Sequence, residues 1–187
     1  MPVGLPRIAA CGHACELSVE HAHAVRTLFG TNTPNSACAM LRTQYEALLR
    51  GAWAMYAATD AQVEKLLQPL GPESEQGAKN LPGAAEMLSR LERQMDTAPG
   101  LVGVVVPLRQ IYEASWRAMN SFVHGGIHPM NRAESGFPDP LAAQIIRNSN
   151  GIMHMSFRLL ARLGPSADIA RAVDQAYLDF QDCLPMA

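Results

Sequence analysis

Apolar residues recur along most of the chain at the three-to-four-residue spacing of a helix, and the strict alternation of a half-buried strand is scarce. The one β-branched run, LVGVVVPL at 101–108, contains Gly103 and Pro107 and leads straight into helical periodicity. The pattern predicts helices separated by Gly- and Pro-rich breaks. A first helix covers SVEHAHAVRTLFG, with Ser18 as cap and Gly30 as stop; residues upstream to Leu5 either extend it or form a separate turn. After a TNTPN loop, a second helix is predicted over 36–58, and Asp60 caps a short third one. The segment 69–83 reads as a loop, followed by a helix near 82–96 that Pro99 and Gly100 break. A long helix then runs over 105–124, and 127–139 reads as a second long loop. Asp139 and Pro140 open a helix that Gly164 and Pro165 close, and a last helix spans 166–182. The expected architecture is all-α: one compact domain over 1–187, a bundle of five to seven helices.

Two helices carry polar residues in unusual patterns. With Arg117 at zero on a helical wheel, Gln110, Glu113, Asn120, Ser121 and His124 all fall within roughly 60° of it. Leu108, Ile111, Tyr112, Trp116, Met119, Phe122 and Val123 take the opposite arc, which must face the core. The stripe is either a solvated face or a site. Asn, Ser and His are mediocre helix formers, and a merely solvated face more often carries Glu, Lys or Arg. Gly125 and Gly126 then stop the helix directly after His124, as a C-cap does.

In SACAMLRTQYEALLRGAWAMYAAT, over 36–59, the charged residues are Arg42, Glu46 and Arg50, spaced i, i+4, i+8 on one narrow stripe. The rest of that helix is apolar nearly all round, as buried helices are. Two readings stand side by side. Glu46 bridges both arginines as a structural network, or one guanidinium is left to meet a phosphate by bidentate hydrogen bonding.

Composition narrows the classes. Fifteen basic against 17 acidic residues give a net charge of −2, which argues against a broad nucleic-acid-coating surface but leaves room for a small basic cleft. The four cysteines, Cys11, Cys15, Cys38 and Cys183, read as reduced thiols of a cytoplasmic protein. No apolar run suits a signal peptide or a membrane span. The cluster Cys11, His13, Cys15, His21 and His23 is a weak zinc candidate, because CxHxC is not a usual structural spacing. A three-histidine site from His124, His128 and His154 is equally weak, and His154, set among Met and Ile, reads as a satisfied core histidine. No phosphate-binding glycine loop and no nucleophile motif is present, so no metal and no cofactor is expected.

The segments EHAHAV (20–25), SACAMLRTQYEALLRGAWAMYAATD (36–60) and MNSFVHGGI (119–127) resemble an uncharacterised bacterial branch of the HEPN superfamily, over about residues 18–163. Members of that superfamily are dimeric helical bundles, and many are metal-independent ribonucleases of toxin, antiphage-defence or CRISPR systems. Their signature is Arg, four to six residues, then His, often with a polar residue straight after the Arg. Here Arg117 and His124 are separated by six residues, Asn120 takes the polar position, and Met119 stands where the usual Arg would be. The resemblance implies a homodimer that cleaves RNA with Arg117, Asn120 and His124, supported by Arg42, Glu46, Arg50, Glu113 and Ser121. An antitoxin or other protein partner is implied with it. The alternative is a non-catalytic helical protein of the same fold that binds a protein partner, a nucleotide or RNA.

Overall fold

The computed structural model describes residues 4–164 and 166–185. Among them there is no strand. Nine α-helices run in order: α1 (Leu5–Gly30), α2 (Pro34–Tyr56), α3 (Asp60–Leu67), α4 (Pro72–Ala78), α5 (Ala84–Glu92), α6 (Val102–Val123), α7 (Ile127–Ser135), α8 (Asp139–Leu163) and α9 (Ala167–Asp179). Single 3₁₀ turns stand at Pro99–Leu101 and Gln181–Cys183. Nine exceeds the five to seven expected, because both predicted loops contain a helix. Pro72 opens α4 from the first-turn position, where its missing N–H costs nothing. Ile127–Ser135 forms α7. Pro165, assigned to the break after α8, lies outside the described residues.

The bundle is organised around α2, which packs on α1, α5, α6 and α8. Twelve of its 23 residues are buried, as expected of a largely apolar helix, although Arg50 on its charged stripe is exposed. α1 and α2 form an antiparallel hairpin whose backbones come closest at Gly51: a Cβ there would stand 3.2 Å from Ala14 Cβ and 3.3 Å from Cys11 O. Trp53, Tyr45, Leu48 and Leu49 fill the centre beneath it. The Tyr45 hydroxyl donates to Leu108 O at 3.0 Å, joining α2 to α6.

A buried polar seam sets the rotation of α2. Gln44 Nε2 donates to Ser149 O (2.8 Å) and Ser149 Oγ donates back to Gln44 Oε1 (2.7 Å). Ser18 Oγ donates to Gln44 O, and Ser156 Oγ lies 3.0 Å from Ser18 Oγ. All four residues are fully buried, so each contact replaces water that cannot reach them. Ser18 is therefore no helix cap. α1 extends upstream to Leu5, and Ser18 sits in its middle, where it ties α1 to α2. The predicted cap at Asp60 also moves by one residue. Thr59 caps α3 in a capping box with Gln62, and Asp60 instead receives Arg7 Nη2 at 2.6 Å. Arg7 also donates to Ala54 O and Ala58 O at the α2 C-terminus, where unpaired carbonyls favour a cation.

Candidate functional site

The C-terminus of α6 turns on two glycines. His124 is the C-cap residue, Gly125 has φ +63°, and Gly126 N–H donates to Ser121 O at 2.8 Å. This bond closes the six-residue ring of a Schellman ending, and the left-handed φ at Gly125 is what favours glycine there. His124 is consequently held at a helix end, as the sequence indicates, and it is exposed to solvent. Ser121 serves the corner: its Oγ accepts His128 N–H at 3.0 Å, which holds the first turn of α7.

Opposite this end lies Arg42 of α2. Its Nη1 donates to Asn120 Oδ1 and lies 3.4 Å from His124 Nε2. Its Nε and Nη2 donate to Glu46 Oε1 at 3.3 and 3.1 Å. The guanidinium carbon stands 4.6 Å from the centre of the Trp116 ring, whose other neighbours are Tyr112, stacked at 4.7 Å, and Tyr45 at 6.0 Å. The side chain is 15% exposed, against 35% for Glu46. Arg42 is thus fixed by an ion pair, an aromatic face and two polar residues of the neighbouring helix. A guanidinium has no acceptor, so a hydrogen bond between Arg42 and Nε2 would use the imidazole lone pair.

The geometry divides the sequence candidates. Arg42, Glu46, Asn120 and His124 converge, and Trp116, assigned only to the core-facing arc, joins them under the guanidinium. Arg117, Glu113 and Arg50 are exposed and make no hydrogen bond or ion pair among the described residues. Glu46 therefore pairs with Arg42 alone, not with two arginines. Met119 is 3% exposed and packs in the hydrophobic core. The signal that identifies Arg42 was its place on an otherwise apolar helix. Its partners, 78 and 82 residues further on, leave no trace in local periodicity.

The other candidates separate. Cys11 and Cys15 point into the core while His13 and His23 are exposed, and the described residues hold no cluster of three His, Cys, Asp or Glu in metal reach. Burial pushes the Cys38 thiol up to about 12. His154 is not a satisfied core residue: it is half-buried, 5.1 Å from the Tyr177 ring, in a cleft between α6 and α8 away from His124. No helix is long and apolar enough to cross a membrane among the described residues.

No curated protein and no solved structure matches the chain significantly. One family model does, over residues 15–186. That match covers nearly the whole sequence, and the chain belongs to the family described as a family of unknown function (DUF6988).

Proposed function

We propose that the chain is a HEPN-like, metal-independent endoribonuclease of the toxin or antiphage-defence type, cytoplasmic and homodimeric, acting at the Arg42–Asn120–His124 corner. The observation that carries this reading is the convergence of a guanidinium, an amide and an exposed imidazole from two helices on one point of the surface. RNA supplies its own nucleophile. The 2′-oxygen attacks phosphorus, a base takes the 2′ proton, the P–O5′ bond breaks, and an acid protonates the departing 5′-oxygen. His124 performs one of the two proton transfers, and His124 of a second copy performs the other. Arg42 and the exposed Arg117 meet the charge of the pentacoordinate transition state. Asn120, held by Arg42, orients the imidazole or a phosphate oxygen. Glu46 and Trp116 hold Arg42 in place, and this chemistry requires no metal or cofactor.

A second reading keeps the fold without the reaction: a helical protein that binds a protein partner, such as an antitoxin, or a nucleotide or RNA. The burial of Met119 at the usual Arg position and the neutralisation of Arg42 by Glu46 favour it. Structured RNA incubated with the purified protein, with and without EDTA and beside His124→Ala, separates the two. Cleavage that survives EDTA, leaves 2′,3′-cyclic phosphate ends and is lost in the variant supports the nuclease. Wild type and variant equally inert, and equally harmless to an expressing cell, support the binder.

A further inference from the structure

α6 and α8 run antiparallel and leave a cleft of about 620 Å³ between them, within the size range of small-molecule sites. Its floor is apolar, from Ile111, Met155 and Leu184. The C-terminal residues close one side: Asn150 Nδ2 donates to Cys183 O at 3.0 Å and Arg147 Nε to Asp182 O at 3.3 Å. This strap holds Leu184 at 8% exposure and seats Pro185 against Gly151, where a Cβ would meet the proline ring at 3.0 Å.

The polar groups of the cleft are arranged by type along α8. Arg158 is the charged residue of the lining. Among the described residues it pairs with Asp174, through Nε at 3.6 Å, and its terminal nitrogens make no hydrogen bond; Nη1 lies 3.3 Å from where a Cβ on Gly103 would stand. One turn away, the His154 and Tyr177 rings lie 5.1 Å apart. No hydrogen bond engages either His154 nitrogen among the described residues. Burial, with Arg158 beside it, holds this imidazole below its usual range and hence uncharged near neutrality. Further along stand the amides of Asn148 and Gln144. Gln144 Nε2 donates to Asn148 Oδ1 at 2.9 Å, which leaves Asn148 Nδ2 and Gln144 Oε1 to face a ligand, with Gln110 opposite on α6. From Arg158 to Asn148 is ten residues of helix, about 15 Å.

We infer that this cleft binds a nucleoside 5′-monophosphate, its phosphate on Arg158, its base against His154 and Tyr177, and the base edge on the Asn148 and Gln144 amides. Three features support that class. Among the described lining residues the charged group is Arg158, a cation whose terminal nitrogens make no hydrogen bond there, and guanidinium forks suit phosphate. An uncharged imidazole beside a tyrosine offers an aromatic wall to a flat ring. Side-chain amides match the paired donor and acceptor of a base edge. An aliphatic carboxylate would use Arg158 and the floor but leave the amides without partners. The site lies apart from His124, so it stands or falls independently of the ribonuclease reading.

Isothermal titration of the full chain with adenosine 5′-monophosphate, adenosine and inorganic phosphate tests this. Saturable binding of the monophosphate at up to millimolar concentration is expected. Adenosine should bind about tenfold or more weakly, and Arg158→Gln should lower monophosphate affinity by a similar factor, from the loss of a charge-assisted hydrogen bond. Ala114→Phe, which fills the cleft from an exposed lining position, should abolish binding with an unchanged melting temperature. His124→Ala should bind as wild type does. No saturable binding of the monophosphate overturns the inference. So does equal affinity for monophosphate and adenosine, or binding that survives Ala114→Phe.

Discussion

Replacing Gln44 by leucine removes the centre of the buried seam without removing volume. Two hydrogen bonds to Ser149, at 2.8 and 2.7 Å, are lost. A neutral pair contributes about 1 kcal/mol each, and a buried hydroxyl left without a partner costs about 1–3 kcal/mol. Ser149 Oγ can recover part of this by turning to the carbonyl one turn earlier in α8, and the leucine gains apolar contact. The net destabilisation is therefore about 2–4 kcal/mol, a large fraction of the stability of a domain this size. Urea unfolding followed by far-ultraviolet circular dichroism measures it as a lowered midpoint at constant slope. The double variant Gln44→Leu/Ser149→Ala should be less destabilised than the sum of the two single variants, by about 1–2 kcal/mol, because no orphaned hydroxyl remains. A Gln44→Leu midpoint equal to wild type, or strict additivity in the cycle, would refute the argument that this seam fixes the rotation of α2. The seam matters to function because Gln44 and Arg42 lie on nearly opposite sides of α2. A helix free to turn would take Arg42 away from α6.

Further outcomes are expected elsewhere. The folded-state pKa of His154 lies below its ordinary value, by desolvation first and by Arg158, against an opposing pull from Asp174. The unfolded chain then binds the extra proton more readily, so this group's contribution is complete above about pH 6.5 and is lost as pH falls below it. Midpoints of wild type and His154→Gln at neutral and mildly acid pH should show the smaller drop in the variant. Glu92 is held below the usual carboxylate range by its hydrogen bonds from Arg109, so the pair's contribution persists above about pH 4.5 and disappears with further acid; Glu92→Gln should flatten that part of an acid titration. Gly125→Ala, at φ +63°, should lower stability by about 1 kcal/mol in the same unfolding assay. Trp53→Ala, which empties the largest fully buried side chain, should cost about 3–5 kcal/mol or prevent folding.

Periodicity recovered what periodicity encodes. The apolar wrap of α2 and the two-faced α6 follow from spacing alone, as does the Gly125–Gly126 ending. Ser18 deceived because serine before an apolar run signals a helix start, whereas here tertiary contact with Gln44 gives its hydroxyl a partner inside the helix. Asp60 and Thr59 are both competent caps, and the long-range pull of Arg7 on Asp60 decides between them. α7 was hidden by its polarity: none of its residues is buried, and Ile127 and Met130 remain exposed. At the corner itself, both stripes were visible, one on each helix. That Arg42, and not Arg117, would meet Asn120 and His124 depends on how α2 and α6 pack, which no local pattern specifies.

The most direct test of the proposed site compares wild type, Arg42→Ala and His124→Ala on one RNA in EDTA, each variant first shown to keep its helical content. Wild type should cleave to 2′,3′-cyclic ends, and both variants should lose that activity by about a hundredfold or more, the scale of losing a proton-transfer group or a transition-state donor. Cleavage undiminished in either variant, or an inert wild type, would rule out a ribonuclease site at this corner.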